Sequence, residues 1–227
     1  MAQSNGTQKT APVHRRISPK AVAVLLAAVL IVAAVIVGAI KLRNWYNDGG
    51  RYAAALAEQI GVSPQTAQKY AHLTLSSSSE YACINMAAEG YSTLYESKYT
   101  VQVSGVTIPQ WVIYAAETNN ALTDIVYYDY RQLHKYGNGT QTSAHIAADG
   151  VTVGMDPETV QQYIGFAPLC RAYDGTGMEE AYKYYYKDKN TGDTVSYVLT
   201  VRYEDDKAVS VTEKENYFIL SVLTLPE

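Results

Sequence analysis

From Ala21 to Ile40 the chain runs for twenty residues without a polar side chain, and Gly38 is its only non-aliphatic member. At helical rise such a run spans about 30 Å, the thickness of a bilayer's hydrocarbon core. Lipid offers the backbone no hydrogen-bond partner, so a stretch like this can cross only as a helix that satisfies its own amides. Lys9, Arg15, Arg16 and Lys20 precede the run; Lys41, Arg43 and Arg51 follow it, the last offset by Asp48. That modest bias predicts a cytoplasmic N-terminus, with Trp45 and Tyr46 at the outer interface. A cleaved signal peptide has a shorter apolar region and a small-x-small site close behind it. Here the nearest such pattern, Ala55-Leu56-Ala57, is displaced by the length of a stalk. No cysteine lies near the run for lipoprotein processing, and the charges on both flanks argue against a helix buried in a soluble domain. The reading is a single-pass plasma-membrane anchor that contacts the bilayer through residues 21–40.

The charge divides at the same place. Six Lys/Arg and no acid lie in the first 43 residues, which leaves twelve basic against twenty-two acidic residues beyond. A body this acidic lacks the basic patch that neutralises phosphates, so nucleic acid is not an expected partner. All 21 tyrosines also lie beyond residue 43, against only two Phe and two Trp in the chain. Tyrosine on this scale suggests sheet faces whose hydroxyls stay within reach of water.

One short stretch of the body occurs twice. Gly61-Val62-Ser63-Pro64-Gln65-Thr66-Ala67-Gln68-Lys69-Tyr70 and Gly154-Met155-Asp156-Pro157-Glu158-Thr159-Val160-Gln161-Gln162-Tyr163 share Gly, Pro, Thr, Gln and Tyr in order, 93 positions apart. Each reads as a helix start: Ser63 or Asp156 as the cap, Pro64 or Pro157 at the first helical position. Glu158 adds a negative charge at the positive end of the second helix. Gly165 supplies a left-handed stop, and Pro168 prevents resumption.

Around these helices the pattern is that of strands. Tyr99–Ser104, Gln110–Ala116 and Ala121–Tyr130 are rich in β-formers, and Thr118-Asn119-Asn120 turns between the last two. Glu180–Lys187 sets Tyr182, Tyr184 and Tyr186 on one face; Lys189-Asn190-Thr191-Gly192 is a hairpin turn; Thr194–Tyr203 alternates cleanly. Glu204-Asp205-Asp206-Lys207 turns into Ala208–Thr212, and Tyr217–Leu223 reads as a last buried strand or an extension of that one. The fold class is therefore α+β, with an N-terminal transmembrane helix followed by two helix-plus-antiparallel-sheet modules. The expected organisation is a disordered cytoplasmic tail (1–19), the membrane helix (20–42), a stalk (43–60), a first module (61–150) and a second module (151–227).

The second module resembles the SmpA/OmlA (BamE) family. The resemblance rests on Gly154-Met155-Asp156, Val160, Ile164-Gly165, Pro168, the Tyr-rich hairpin and Tyr203-Glu204-Asp205-Asp206-Lys207-Ala208-Val209-Ser210-Val211. A similar αβ unit occurs twice in tandem in β-lactamase inhibitor proteins, and the 93-residue echo resembles that duplication. The motif is structural, so it implies a fold more than an activity; an inhibitor or assembly-factor role is what the resemblance suggests. The chain departs from the BamE pattern by carrying a transmembrane helix in place of a lipobox cysteine, which points to a single-membrane bacterium.

Little else carries chemistry. His14, His72, His134 and His145 are dispersed without metal-ligand spacing. Ser76–Ser79 reads as a loop, and Asp188–Asp193 as a hairpin turn lacking the terminal Glu of a calcium loop. Glu204, Asp205 and Asp206 read as a solvated hairpin tip. No catalytic, cofactor-binding or metal-binding residue is assigned, and no enzyme activity or cofactor is expected. Cys83 and Cys170, one per module, form either a disulfide clamp or two buried thiols. Tyr184, Tyr186, Tyr197 and Tyr203 are the candidate partner-binding residues, and with Tyr127, Tyr128 and Tyr130 they form the set that lines a concave sheet face; core packing is expected for most of the seven and binding for a minority. The expected function is a non-enzymatic, membrane-anchored extracytoplasmic protein that binds a protein partner through a Tyr-rich sheet face. A cell-wall glycan-binding module is the alternative, since aromatic faces also stack on sugars; a small hydrolase ranks last.

Overall fold

The computed structural model describes residues 19–71, 91–103, 105–133 and 139–215. The N-terminal tail, His72, Ser76–Ser79, Cys83, His134 and the stretch Tyr217–Leu223 lie outside them. The chain divides into two units, one ending at Asn47 and one beginning at Asp48.

Among the described residues the first unit is a single helix, α1 (Pro19–Tyr46), opened by its proline. Its segment Val22–Trp45 is long and apolar enough to cross a membrane, and none of its most apolar stretch is buried by protein. Arg43 sits in the last turn, where a cation offsets the negative end of the helix dipole.

The second unit is a mixed α+β body built on one large sheet. Its helices are α2 (Gly49–Ala57), α3 (Pro64–Ala71) and α4 (Pro157–Ile164). Its strands are β1 (Tyr91–Glu96), β2 (Thr100–Val103), β3 (Val106–Pro109), β4 (Trp111–Thr118), β5 (Ala121–Asp129), β6 (Thr140–Gln141), β7 (Cys170–Tyr173), β8 (Met178–Lys187), β9 (Thr194–Glu204) and β10 (Lys207–Glu215). The main sheet runs β1-β4-β5-β7-β8-β9-β10, antiparallel throughout. The short β6 lies parallel to β8 against Tyr184 and Tyr185, beyond the end of the β7 pairing. β2 and β3 form a separate hairpin.

Alternation sorts the strand residues onto two faces. On one face α2 and α3 bury Ala53, Leu56 and Ala67 against Trp111, Ile113, Ile125 and Tyr127. On the same face α4 buries Val160 and Ile164 against Tyr182, Tyr184, Leu199, Val201 and Tyr203. A fully buried Leu such as Leu56 is worth roughly 1.5–3 kcal/mol. On the other face Val103 and Ile108 of the β2–β3 hairpin pack with Tyr114, Tyr128, Tyr130 and Cys170. β5 is thus buried on both sides, which is why apolar and aromatic residues occupy both of its faces.

The two helix-led stretches close in the same way. Gly61 and Gly154 have φ of +94° and +93°, a backbone region that glycine enters without steric cost. The amide of Gly61 donates to the Leu122 carbonyl at 2.8 Å, and the Leu122 amide donates to Val62 at 2.9 Å. The amide of Gly154 likewise donates to Ala208 at 2.8 Å, and the Ala208 amide donates to Met155 at 2.7 Å. Leu122 and Ala208 are each the second residue of a strand entered through a turn with two positive-φ residues, Asn119-Asn120 and Asp205-Asp206. A bulge follows each: the register skips between Leu122 and Asp124, and again between Ala208 and Ser210. In α4 the Asp156 carboxylate accepts from the Thr159 amide at 2.8 Å, and Gly165 closes the helix at φ +87°.

β7 and β8 join through a turn tied by Asp174, whose Oδ1 accepts from the amides of Thr176 and Gly177 at 2.7 and 2.9 Å. Arg202 donates to the same carboxylate from β9. Burial works against the Asp174 charge, but the hydrogen bonds from Arg202 and Thr176 win and hold its pKa well below the carboxylate range. A Cβ on Gly177 would lie 2.1 Å from the Tyr203 carbonyl oxygen, so the turn has to move to admit one. Gly177→Ala is therefore expected to cost about 1–3 kcal/mol by overpacking, read as a fall in the denaturation midpoint. Gly175→Ala, two residues away, meets nothing within 4 Å and is expected to be close to neutral.

Candidate functional site

Two polar networks lie on the helix-covered face, each centred on a glutamate that tyrosine hydroxyls donate to. The first crosses the line where the α2–α3 layer meets the α4 layer. Strand pairing sets Tyr127, Arg171 and Glu180 in one row across β5, β7 and β8. Arg171 Nε donates to Glu180 Oε1 at 2.7 Å. The hydroxyls of Tyr182 and Tyr203 donate to Oε2 at 2.5 and 3.1 Å. Glu180 is fully buried, while about a quarter of the Arg171 side chain remains exposed. A buried carboxylate is tolerable only when paired and hydrogen-bonded, and three donors meet that need. Burial opposes the Arg171 charge, yet Glu180 more than compensates and its pKa rises above the ordinary value. Burial, followed by the adjacent Glu180 charge, pushes the tyrosine pKa values upward at Tyr182 and Tyr203.

The second network sits where β8, β9 and β10 run together under the segment that links β6 to α4. Glu213 Oε1 accepts from the Tyr184 hydroxyl at 2.6 Å, and its Oε2 lies 2.9 Å from His145 Nε2. Tyr184, Tyr197 and Tyr186 form a ladder of near-parallel rings, with centroids 5.7 and 6.1 Å apart. The His145 imidazole rests on it, 4.8 Å from Tyr197. The Tyr184 hydroxyl also meets the backbone of Ile146, so one side chain ties the linking segment to the sheet. Burial, then the neighbouring Glu213, raises the Tyr184 pKa. Tyr197 is raised as well, by burial and then by its contact with the Tyr186 hydroxyl.

The four candidate tyrosines therefore separate. Tyr184 and Tyr203 are buried, each donating to a glutamate. Tyr186 and Tyr197 are half-buried and lie beside His145, of which 42% of the side chain is exposed. Tyr127, Tyr128 and Tyr130 are all core residues. Cys170 is a buried thiol whose pKa burial raises, and Cys83 lies outside the described residues. The segment Asp188–Asp193 is a side-chain-stabilised turn: Asp188 Oδ1 accepts from the Asn190 amide at 2.7 Å.

Arg171, Glu180, His145 and Glu213 did not stand out in the sequence. The available signal was Glu180 itself, a charge in step with Tyr182, Tyr184 and Tyr186 on what alternation marks as an apolar face. Among the described residues no three His, Cys, Asp or Glu side chains gather as a metal site. The aromatic end can offer ring edges, one exposed imidazole and carboxylates to a docking surface. No known protein family, curated protein or solved structure matches the chain.

Proposed function

We propose that this chain is a membrane-anchored, extracytoplasmic, non-enzymatic binding protein that engages a protein partner through the aromatic end of its sheet. The observation that carries the reading is the partly exposed pair Tyr186 and Tyr197, stacked 3° from parallel and fixed from behind by the Glu213 bonds to Tyr184 and His145. Rigid tyrosines give contact area at low entropy cost, and such anchors dominate interface energetics. The anchor is α1 with a cytoplasmic N-terminus, a placement supported by the basic residues ahead of it. The paired glycine clamps, matching turns and matching bulges support a body made of two copies of one helix-led unit, of the kind found in BamE-like and β-lactamase-inhibitor-like proteins.

Crosslinking on intact cells that express the full chain tests the binding surface. Discrete protein adducts are expected with the native chain. Tyr186→Ala combined with Tyr197→Ala is expected to lower their yield about tenfold, the loss of one anchor pair. Tyr185→Ala, which alternation places on the opposite face, should leave the yield unchanged. Equal yields from all three chains would remove the aromatic end as the interface. Protease added to the same cells should release the body, and a body that stays protected would overturn the outward placement.

A further inference from the structure

A groove of about 520 Å³ runs beside α4, lined among others by Glu158, Gln161, Gln162, Phe166 and Arg171. Its size falls within the range of small-molecule sites, roughly 300–1,000 Å³. Part of its lining is held in place. α4 is capped at both ends by Asp156 and Gly165. Phe166 packs edge-on against Tyr182, with ring centroids 6.1 Å apart. Arg171 is held by Glu180, which in turn is held by Tyr182 and Tyr203. A guanidinium carries five donors, and among the described residues Glu180 is the one carboxylate that pairs with this one. The part of Arg171 that lines the groove is therefore preorganised to donate.

Charge selects the ligand class. Arg171 disfavours a cation. Glu158 in the lining disfavours a bare anion, as does Asp48, which flanks Gly50 together with Arg171: a Cβ on Gly50 would lie 3.4 Å from both Asp48 Oδ1 and Arg171 Nη1. What remains is a neutral molecule with neighbouring donors and acceptors and one apolar face. Gln161 offers an amide that donates and accepts, Gln162 donates to Glu158 Oε1 at 3.3 Å and leaves its own oxygen and the second Glu158 oxygen to accept, Arg171 donates, and Phe166 supplies a ring. We propose that this groove binds a neutral saccharide, with Phe166 against its C–H face and the planar polar groups on its hydroxyls. The groove meets the ring ladder through Phe166, whose ring centroid lies 6.4 Å from that of Tyr184, and the proposal does not rest on the protein-partner reading.

Saturation-transfer NMR on the full chain in detergent micelles tests it, with chitotriose and maltotriose as neutral probes, and glucuronate and protonated glucosamine as charged ones. At least one neutral trisaccharide is expected to receive saturation at about 10 mM, in keeping with millimolar affinity. Gln161→Ala, on the half-buried flank of α4, should reduce the transfer at least about fivefold, and Arg171→Lys should do likewise by removing the planar fork. Tyr186→Ala should leave it unchanged. The proposal is overturned if neither neutral probe receives saturation, if a charged probe receives more, or if the transfer survives Gln161→Ala.

Discussion

Arg171→Met is expected to destabilise the body by about 3–5 kcal/mol, the cost of leaving a buried charge without its partner. For a unit of this size that lowers Tm by roughly 6–20 °C. The methionine fills most of the arginine's volume, so the loss isolates electrostatics from packing. Glu180 stays fully buried and keeps only the hydroxyls of Tyr182 and Tyr203. Adding Glu180→Gln removes the stranded charge while retaining an oxygen for those hydroxyls. The double variant should therefore recover more than half of the loss, and a double-mutant cycle reports the difference as a coupling energy. Thermal unfolding of the full chain in micelles, followed by circular dichroism, gives all four corners. A cost below about 1 kcal/mol for Arg171→Met, the range of an exposed ion pair, or no recovery in the double variant, would show that Glu180 is not a buried charge held by Arg171.

The helix ends were legible because their chemistry is local. Asp156 and Pro157 start α4 and Gly165 stops it within a handful of positions. Asn119-Asn120 and Asp205-Asp206 declare their turns by tolerating positive φ. The membrane-length helix was legible from composition alone. The β5–β7 ladder was not, and it is this pairing that joins the strands of both halves into one sheet. β7 is four residues long and includes an arginine, so no periodicity marks it. The Arg171–Glu180 pair depends on that ladder's register, which no local rule supplies. Alternation told which face Tyr184 and Tyr203 share but not that α4 covers it. Expected at a wet surface, they are buried because Glu213 and Glu180 accept their hydroxyls in place of water. β1 and β3 went unread as strands: β1 carries Ser, Thr and Glu among its tyrosines without a clean alternation, and β3 is four residues long and ends on a proline.

Raising the pH is expected to unfold the body in one steep step starting above about pH 10, the ordinary tyrosine value. Burial, as the first cause, pushes the tyrosine pKa values up to about 12 at Tyr95 and Tyr173. Burial also raises Tyr127, Tyr182, Tyr184 and Tyr203, each with an adjacent carboxylate adding to the shift. In all six the folded value lies above the unfolded one. Their stabilisation is thus complete below about pH 10 and is lost as pH rises towards the folded values, because the unfolded chain releases its protons first. Each contributes about 1.4 kcal/mol per pH unit, and six together roughly 8. A domain of ordinary stability, about 5–15 kcal/mol, is then exhausted within about two pH units. Lys183 acts in the opposite sense: burial lowers its pKa to about 8, so stability rises with pH from there towards the unfolded lysine value. The Cys170 thiol, raised by burial, opposes that rise above about pH 8.5, and the two leave a plateau before the tyrosines take over. Tyrosinate absorbance and circular dichroism recorded together on the full chain provide the measurement. Exposed tyrosines should titrate first without loss of structure, and the remainder should ionise in a cooperative step coincident with unfolding. Gradual ionisation of every tyrosine near pH 10, with the fold intact, would show that these hydroxyls are not buried on carboxylates. A climb in stability between about pH 8.5 and 10 in place of the plateau would show that Cys170 does not titrate, as expected of a cysteine bonded to Cys83.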